Sequence, residues 1–262
     1  MNGIHPTAIL DASVQLGTDI EIGPFAILEP DVVIDRGCRI GAHAVIKRAS
    51  KIGKRNRIAD HVVIGGDPQE LSFRTAMTFV SIGDDNVFRE GVTIHRASRS
   101  GAATRLGNGN YLMAYCHVGH DCAVGHHTVF ANGVSLGGHV TVADHAFISA
   151  HVAIHQFCRV GSYAMVAGLA KVTQDCLPFV ITDGNPARAR GINVVGLQRA
   201  GVTGDNLNEL KRAYRLLLRS HMELDKALQA LSRSKSFLVR ELVTFIESSS
   251  RGFAHHRGSA RY

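Results

Sequence analysis

The sequence predicts a parallel β-helix of triangular cross-section, followed by a smaller α-helical part. The main observation is a six-residue period: between Leu10 and Val172, 25 of the 28 positions spaced by six are Leu, Ile, Val or Phe. An α-helix repeats about every 3.6 residues and a strand every 2, so neither alone gives this period. The period stops after Pro178 and Pro186, where apolar residues reappear at helical spacing.

Each six-residue unit is expected to form one short strand and one corner. Three units would close a coil of about 18 residues, and successive coils would stack about 4.8 Å apart. A glycine often follows the large apolar residue, as at Gly119 and Gly137, where we expect a chain turning a corner to need a permissive backbone. A small or β-branched residue four positions after the large one completes the core.

The three exceptions to the period, Glu70, Ala76 and Ser100, fall in two stretches near 65–81 and 95–105. We interpret these stretches as loops that leave the coil. The β-helix is expected over residues 1–187 and a helical domain over 188–262, with helices near 207–218, 224–231 and 236–248. Because the last coil of such a stack exposes apolar residues, the helices are predicted to cover it.

The composition narrows the range of possible ligands and locations. The chain has 262 residues, 45% of them hydrophobic, and carries a formal net charge of +7, which favours an acidic partner. It has no Trp and no continuous basic tract, so nucleic acid is not an expected ligand. No stretch is apolar enough to span a membrane and no signal peptide is evident, so we expect a cytoplasmic protein without a membrane segment.

The cysteines are expected to be structural. All five share the small, inward fourth position of the unit, an apolar column in which neither a disulfide nor a metal site is predicted; they are Cys38, Cys116, Cys122, Cys158 and Cys176.

Most of the 15 histidines are expected on the surface. Six of them take the third position, beside a corner: His43, His61, His127, His139, His145 and His151. His120 differs, because the repeat of about 18 residues stacks it with Gly138 and Gln156, while Asp121 stacks with His139. A histidine beside an acid can act as a general base, and a backbone N–H of Gly138 could face an oxyanion. From the register alone, a structural role for His120 stays open.

Seven segments, in this order, carry a resemblance to a known family. They are IGPFAI (22–27), REGVTIHR (89–96), HVGHDCAVG (117–125), GGHV (137–140), HQFCRVG (155–161), GNPARARGIN (184–193) and GLQRAG (196–201). Together with the helical tail they resemble the UDP-N-acetylglucosamine O-acyltransferases that begin lipid A synthesis in bacteria of the Gram-negative type. The resemblance implies a left-handed coil and a homotrimer with its active site between neighbouring subunits.

The resemblance also implies a reaction. The 3-hydroxyl of UDP-N-acetylglucosamine would attack the thioester of an (R)-3-hydroxyacyl chain on the phosphopantetheine of acyl carrier protein, with no other cofactor. By carry-over, His120 would be the general base, Asp121 would orient it, and the Gly138 N–H would stabilise the oxyanion.

Further residues match positions that bind substrate in the family. His117, His139, His155 and Gln156 match residues lining the cleft, and Asn193 and Arg199 match residues holding the nucleotide and its phosphates. The planar guanidinium of Arg199 suits a phosphate, because it can pair two of its oxygens. Gly168 falls where the family gauges acyl length, which implies a deep groove and a long chain.

Four positions depart from the family pattern. In PQELS at 68–72, Glu70 replaces Asp and Ser72 replaces a basic residue near the sugar, while Val195 and Ala200 replace polar or basic residues near the nucleotide. Two alternatives therefore stay open, namely a 3-amino UDP-sugar as acceptor and acyl- or acetyl-coenzyme A as donor.

A zinc site is the competing use of clustered histidines. Hexapeptide-repeat carbonic anhydrases hold zinc with histidines of which two lie five residues apart, but the residue five positions after His117 is Cys122, which is expected to point inward. We therefore predict no metal site.

Overall fold

A computed structural model describes residues 2–255, and in it the chain winds into a stack of triangular coils. We number the strands along the chain and group them by the face they form. The first face holds 11 strands: β1 (Gly3–Ile4), β4 (Glu21–Ile22), β7 (Arg39–Ile40), β10 (Arg57–Ile58), β13 (Val87–Phe88), β16 (Tyr111–Leu112), β19 (Val129–Phe130), β22 (Phe147–Ile148), β25 (Met165–Val166), β27 (Val180–Gly184) and β28 (Ala187–Ile192).

The other two faces hold nine and eight strands. The second face consists of β2 (Ile9–Leu10), β5 (Ile27–Leu28), β8 (Val45–Ile46), β11 (Val63–Gly66), β14 (Thr93–His95), β17 (His117–Val118), β20 (Ser135–Leu136), β23 (Ala153–Ile154) and β26 (Lys171–Val172). The third face consists of β3 (Gln15–Leu16), β6 (Val33–Ile34), β9 (Ser50–Ile52), β12 (Phe79–Ile82), β15 (Ala103–Leu106), β18 (Ala123–Val124), β21 (Thr141–Val142) and β24 (Arg159–Val160).

Strands on each face pair in parallel with the coil above and below, except for the antiparallel pair of β27 and β28. His117 pairs with Ser135, and Ser135 with Ala153, so the repeat is 18 residues in this part of the chain. This architecture, with helices after it, confirms the predicted left-handed parallel β-helix.

Two segments leave the coil. Residues 67–78 separate β11 from β12, and residues 96–102 separate β14 from β15. Val63 pairs with Val45, 18 residues earlier, but its partner in the following coil is Thr93, 30 residues on. Both segments emerge next to the second face, which matters for the site described below.

The glycines that follow the large apolar residues do not serve the corners, contrary to our expectation. The corner residue with a left-handed backbone is instead in the third position, as at Asp121 (φ 60°) and His139 (φ 61°). Glycine is needed at Gly119 because a Cβ there would lie 2.7 Å from the carbonyl oxygen of Leu136 in the next coil. The close stacking of coils, and not backbone freedom, selects glycine there.

The prediction that third-position histidines lie outside the core is confirmed. Five of the six are exposed and His139 is half-buried. Several stack in columns along a corner, with His43 and His61 face to face at 5.1 Å between ring centroids. The prediction that the cysteines are core residues is also confirmed, since all five are buried.

The helices follow β28, so residues 188–192 are strand and the helical part begins at Val194. The helices are α1 (Val194–Arg199), α2 (Gly204–Leu218), α3 (Leu224–Leu231) and α4 (Phe237–Glu247). The last three agree with the predicted helices, whereas the short α1 was not predicted. The division into domains at 187 and 188 stays a prediction, and its last seven residues, 256–262, lie outside the described residues.

The helices cover the end of the β-helix with a second apolar cluster that joins Phe179 and Val180 to Leu210 and Leu242. A polar clamp reinforces this contact. Arg159 pairs with the buried Asp175 at 2.8 Å and donates to the carbonyl oxygen of Phe245 on α4. Among residues 2–255, no helix is long and apolar enough to cross a membrane.

Candidate functional site

An open cleft of about 420 Å³ lies along the second face, at its corner with the third. It exists because β17, β20 and β23 stack in register, so that residues 18 positions apart come to the same edge. Five of the predicted site residues line it: His117, His120, Gly138, His155 and Gln156.

His120, which lines the cleft, forms a hydrogen-bonded pair with Asp121. Nδ1 of His120 lies 2.8 Å from Oδ2 of Asp121, and the two side chains are only 11% and 10% exposed. The same oxygen accepts the backbone N–H of Ser98 at 3.0 Å, and Thr104 Oγ1 accepts the N–H of Asp121. Burial opposes ionisation of Asp121, but hydrogen bonds from His120 and Ser98 outweigh it and lower the pKa of the carboxyl.

This pairing fixes the chemistry of the imidazole. A carboxylate at Nδ1 favours the tautomer that carries its proton on Nδ1, which leaves the lone pair of Nε2 free to accept a proton. His120 can therefore act as a base, and Asp121 can stabilise the imidazolium that forms.

Gly138 lies directly against the free side of that imidazole. A Cβ at this position would be 2.5 Å from both Nε2 and Cε1 of His120, so only glycine keeps the base accessible. The Gly138 carbonyl accepts the N–H of Phe157, whereas its own N–H has no protein acceptor among the described residues. An unpaired N–H beside a base is the arrangement that an oxyanion requires.

His139 supports the pair from the next coil. Its ring stacks on Phe157 at 4.6 Å between centroids, meets His120 edge-on at 5.2 Å, and brings Nε2 within 3.8 Å of Oδ2 of Asp121. Nitrogen and oxygen atoms of His120, Asp121 and His139 lie within 4.8 Å of one another, close enough for a metal ion to bind all three. The hydrogen bond between His120 and Asp121 accounts for most of that closeness, and the absence of a metal stays a prediction.

His95 and His117 form a wall of the cleft and are both neutral at pH 7. Burial, with the charges of His95 and His120 adding to it, lowers the pKa of His117 to about 4, and burial also lowers the pKa of His95. Nδ1 of His117 lies 2.8 Å from the Thr93 hydroxyl, which fixes the ring. At neutral pH this wall offers hydrogen bonds without positive charge.

The segment 67–78 brings three polar residues to the rim of the cleft. Gln69 lines it directly. Glu70 and Ser72, both predicted sugar contacts, hydrogen-bond to each other at 2.7 Å. Hydrogen bonds from Ser72 and Ser98 lower the pKa of Glu70, whose carboxylate is close enough to interact electrostatically with His120.

Three predicted residues lie on other edges of the prism. Asn193 caps helix α1, donating to the Tyr163 carbonyl at 2.9 Å and accepting from the Gly196 N–H. Arg199 is exposed in the last turn of that helix, and neither residue lines the cleft of its own chain. A Cβ at Gly168 would make only ordinary contacts, the nearest being 3.5 Å from the Ala150 oxygen.

Sequence reasoning missed Gln69, His95 and Ser98. His95 is in REGVTIHR, and Gln69 adjoins the Glu70 that departs from the family pattern, so both could have been found from the resemblance. Ser98 has no such signal, since it follows a break in the six-residue period. Only the folded chain brings its N–H to Asp121.

The chain matches known proteins along nearly its whole length. Residues 175–254 match the family model described as UDP N-acetylglucosamine O-acyltransferase, domain 2, and residues 13–48 and 103–138 match the bacterial transferase hexapeptide model. Proteins named acyl-(acyl-carrier-protein)–UDP-N-acetylglucosamine O-acyltransferase are similar to it. The one from Alkalilimnicola ehrlichii is 46% identical, with 96% of this chain and 99% of that protein covered, and the one from Akkermansia muciniphila is 46% identical over 97% and 100%.

Solved structures agree. UDP-N-acetylglucosamine O-acyltransferase from Moraxella catarrhalis superposes with a TM-score of 0.92 at 36% identity, covering 96% of this chain and 99% of that one. The enzyme from Acinetobacter baumannii gives a TM-score of 0.93 at 34% identity over 96% and 99%. Identity of this extent on the same fold decides the assignment: the chain belongs to the UDP-N-acetylglucosamine O-acyltransferase family.

Proposed function

We propose that this enzyme transfers an (R)-3-hydroxyacyl group from acyl carrier protein to the 3-hydroxyl of UDP-N-acetylglucosamine, with His120 as general base. One observation carries the role of His120: its Nδ1 is held by Asp121 while its Nε2 faces Gly138, the one residue type that leaves it accessible. The similar proteins are named for these substrates, which favours a hydroxyl acceptor and a carrier-protein donor over the amine acceptor or coenzyme A donor.

The proposed reaction has two steps. In the first, Nε2 of His120 takes the proton of the sugar hydroxyl while the hydroxyl oxygen attacks the thioester carbonyl carbon, and the Gly138 N–H hydrogen-bonds the oxyanion. In the second, the tetrahedral intermediate expels the phosphopantetheine sulfur, which receives the proton from His120. Asp121 stabilises the imidazolium between the steps. The scheme uses no cofactor, and the carrier protein is a co-substrate.

A second copy of the chain is part of this proposal. Asn193 caps helix α1 beside Tyr163, at the corner between the third and first faces, and Arg199 is in the last turn of that helix. His120, by contrast, is at the corner between the second and third faces. If one UDP-sugar contacts all three residues, Asn193 and Arg199 come from one chain and His120 comes from its neighbour. A homotrimer in which each cleft faces the neighbour's α1 meets this requirement.

The outward residues of two faces support such an assembly. On the second face, the N-terminal coils have outward apolar residues at Ile9, Ile27, Val45 and Val63. On the first face, the C-terminal coils have outward apolar side chains that include Phe147, which is 39% exposed. Surfaces of this kind are suited to contact between subunits. The cytoplasmic location expected from the sequence stays a prediction.

The substrate assignment is tested by incubating the purified enzyme with UDP-N-acetylglucosamine and 3-hydroxyacyl carrier proteins of several chain lengths. We expect a mono-acylated UDP-sugar by mass spectrometry, with the acyl group released by mild alkali, as an ester is and an amide is not. Product formed only with coenzyme A thioesters, or no acylated sugar from any donor, would refute the proposal.

The shared site is tested by mixing two inactive variants, His120→Ala and Arg199→Ala, and allowing subunits to exchange. The mixture should regain up to about a quarter of the wild-type rate, since one random site in four combines an intact His120 with an intact Arg199 from the neighbour. If each active site lay within one chain, mixing the two variants would restore no activity.

A further inference from the structure

The segment 67–78 contributes to the cleft but has little support of its own. Leu71 is fully exposed, and the hydrogen bond between Glu70 and Ser72 is internal to the segment. Its polar residues nevertheless point to the rim beside His120. Something outside the segment must therefore fix its position.

Arg96, the first residue of the second excursion, contacts two residues of the first excursion and the last residue of the strand before it. Its N–H donates to the Gly66 carbonyl at 2.9 Å, and its Nη2 lies 2.8 Å from Oδ1 of Asp67. Its guanidinium also stands over the ring of Phe73, 5.7 Å from the centroid. The contacts fall at both ends of the stretch 67–73, which contains Gln69.

The burial of the two partners is unequal. The Arg96 side chain is 9% exposed, whereas that of Asp67 is 73% exposed. Nε of Arg96 is buried without a hydrogen-bond partner among the described residues. Burying a guanidinium is unfavourable unless it is paired, so a chain that needed only a stable loop would have little reason to keep it there. The buried guanidinium of Arg96 can, however, hold the exposed segment that contains Asp67 in one position.

We propose that Arg96 is a positioning residue for the sugar acceptor: it clasps residues 67–73 at both ends and so sets where Gln69 and Glu70 meet the sugar. The inference rests on the proposed function, because it assigns these residues to the UDP-sugar. The clasp acts on the acceptor alone, since the base and its carboxylate are held by separate contacts, from Ser98 and Thr104.

The test replaces Asp67 with Ala, because an exposed side chain can be removed without opening the core. The KM for UDP-N-acetylglucosamine should rise about five- to tenfold, the size expected for one partly exposed charged hydrogen bond. We expect kcat and the KM for the acyl carrier protein to stay within about twofold, because the donor does not meet the clasp. Asp67→Glu, which keeps the ion pair, should restore most of the acceptor KM.

Proteolysis gives a readout independent of activity. Arg74 is the only Lys or Arg in 67–78, so trypsin can cut this segment only there. Cleavage after Arg74 should be several-fold faster in Asp67→Ala than in wild type, and unchanged in Asp67→Glu. Glu223→Ala is the matched control, since it removes an equally exposed carboxylate from an ion pair with Lys226, far from the cleft.

Each outcome decides the proposal. An unchanged acceptor KM in Asp67→Ala, with or without faster cleavage, overturns it, and so does an equal rise in the KM of the donor. If the wild type makes no acylated sugar, the proposed function fails. In that case, calorimetry still tests the clasp by comparing the affinity of wild type and Asp67→Ala for UDP-N-acetylglucosamine. A weaker affinity in Asp67→Ala supports the clasp, and an equal affinity overturns it.

Discussion

Replacing Gly138 with Ala perturbs the proposed base without removing a functional group. The added Cβ would lie 2.5 Å from Nε2 and Cε1 of His120, whereas ordinary contact begins at 3.4 Å. The imidazole must therefore retreat by about 0.9 Å, and its 2.8 Å hydrogen bond to Asp121 must lengthen or tilt. The backbone of Gly138 is not left-handed, so Ala itself should be accommodated.

The expected loss follows from that displacement. A misplacement of about 1 Å at a catalytic group can cost about 10²-fold in rate. We expect kcat/KM for acyl transfer to fall about 100-fold, measured from initial rates at several concentrations of UDP-N-acetylglucosamine. The unfolding midpoint should stay close to that of wild type, because the clash is confined to one ring at the surface of the cleft.

The control is Gly3→Ala, where a Cβ would meet only the Glu21 side chain, at 4.0 Å, at the far end of the prism. Its kcat/KM should equal that of wild type. A Gly138→Ala enzyme with nearly full activity would show that the imidazole of His120 need not occupy its observed position, and the reasoning about the base would be wrong.

Three further predictions concern stability and specificity. The pKa of His117 is lowered to about 4 by burial and by the neighbouring His95 and His120, so the unfolded chain, with an ordinary pKa of 6.5, binds more protons between these values. Stability should therefore be lost as the pH falls from 6.5 towards 4, and His117→Gln should show a smaller loss in urea titrations at about pH 5 and pH 7. Arg159→Leu removes the charged partner of the buried Asp175, which keeps only neutral hydrogen bonds, and should lower the free energy of unfolding by about 3 kcal/mol, the lower end of the range for a broken buried ion pair; urea titration would detect this loss, and a variant of wild-type stability would contradict it. Gly168→Met adds a long side chain where a Cβ meets no clash and should shorten the preferred acyl chain, whereas the same product lengths from a mixed donor panel would refute the role of Gly168.

The coil could be predicted from sequence because its signal is repeated. Each large apolar residue, such as Ile46 or Leu136, faces the same environment as its neighbours in the stack, so the period reports the fold many times over. The register alone also predicts that Gly138 stacks beside His120. The predicted role of the glycines that follow the apolar residues, as corner residues, was wrong. Glycines required by close contact between coils, as at Gly119 against Leu136, recur at the same spacing as glycines required by turns, so the sequence does not distinguish the two.

The parts of the site outside the repeat could not be predicted in the same way. Ser98 and Arg96 lie where the period is broken, and their contacts with Asp121 and Asp67 depend on how two excursions fold against each other. The short helix α1 was missed since its six residues are few and include Gly196. Residues such as Arg199 belong to the site only through an assembly, which one chain's periodicity does not specify.

The rate of acyl transfer by His120→Ala tests the central claim most directly. With UDP-N-acetylglucosamine and the preferred acyl carrier protein both saturating, kcat should fall about 10²–10⁴-fold, the usual contribution of a positioned general base, with the fold and the product unchanged. His5→Ala, at an exposed histidine at the other end of the prism, should keep the wild-type rate. A His120→Ala enzyme that turns over within a few-fold of wild type would contradict the account, because the proton would then leave the hydroxyl by another route.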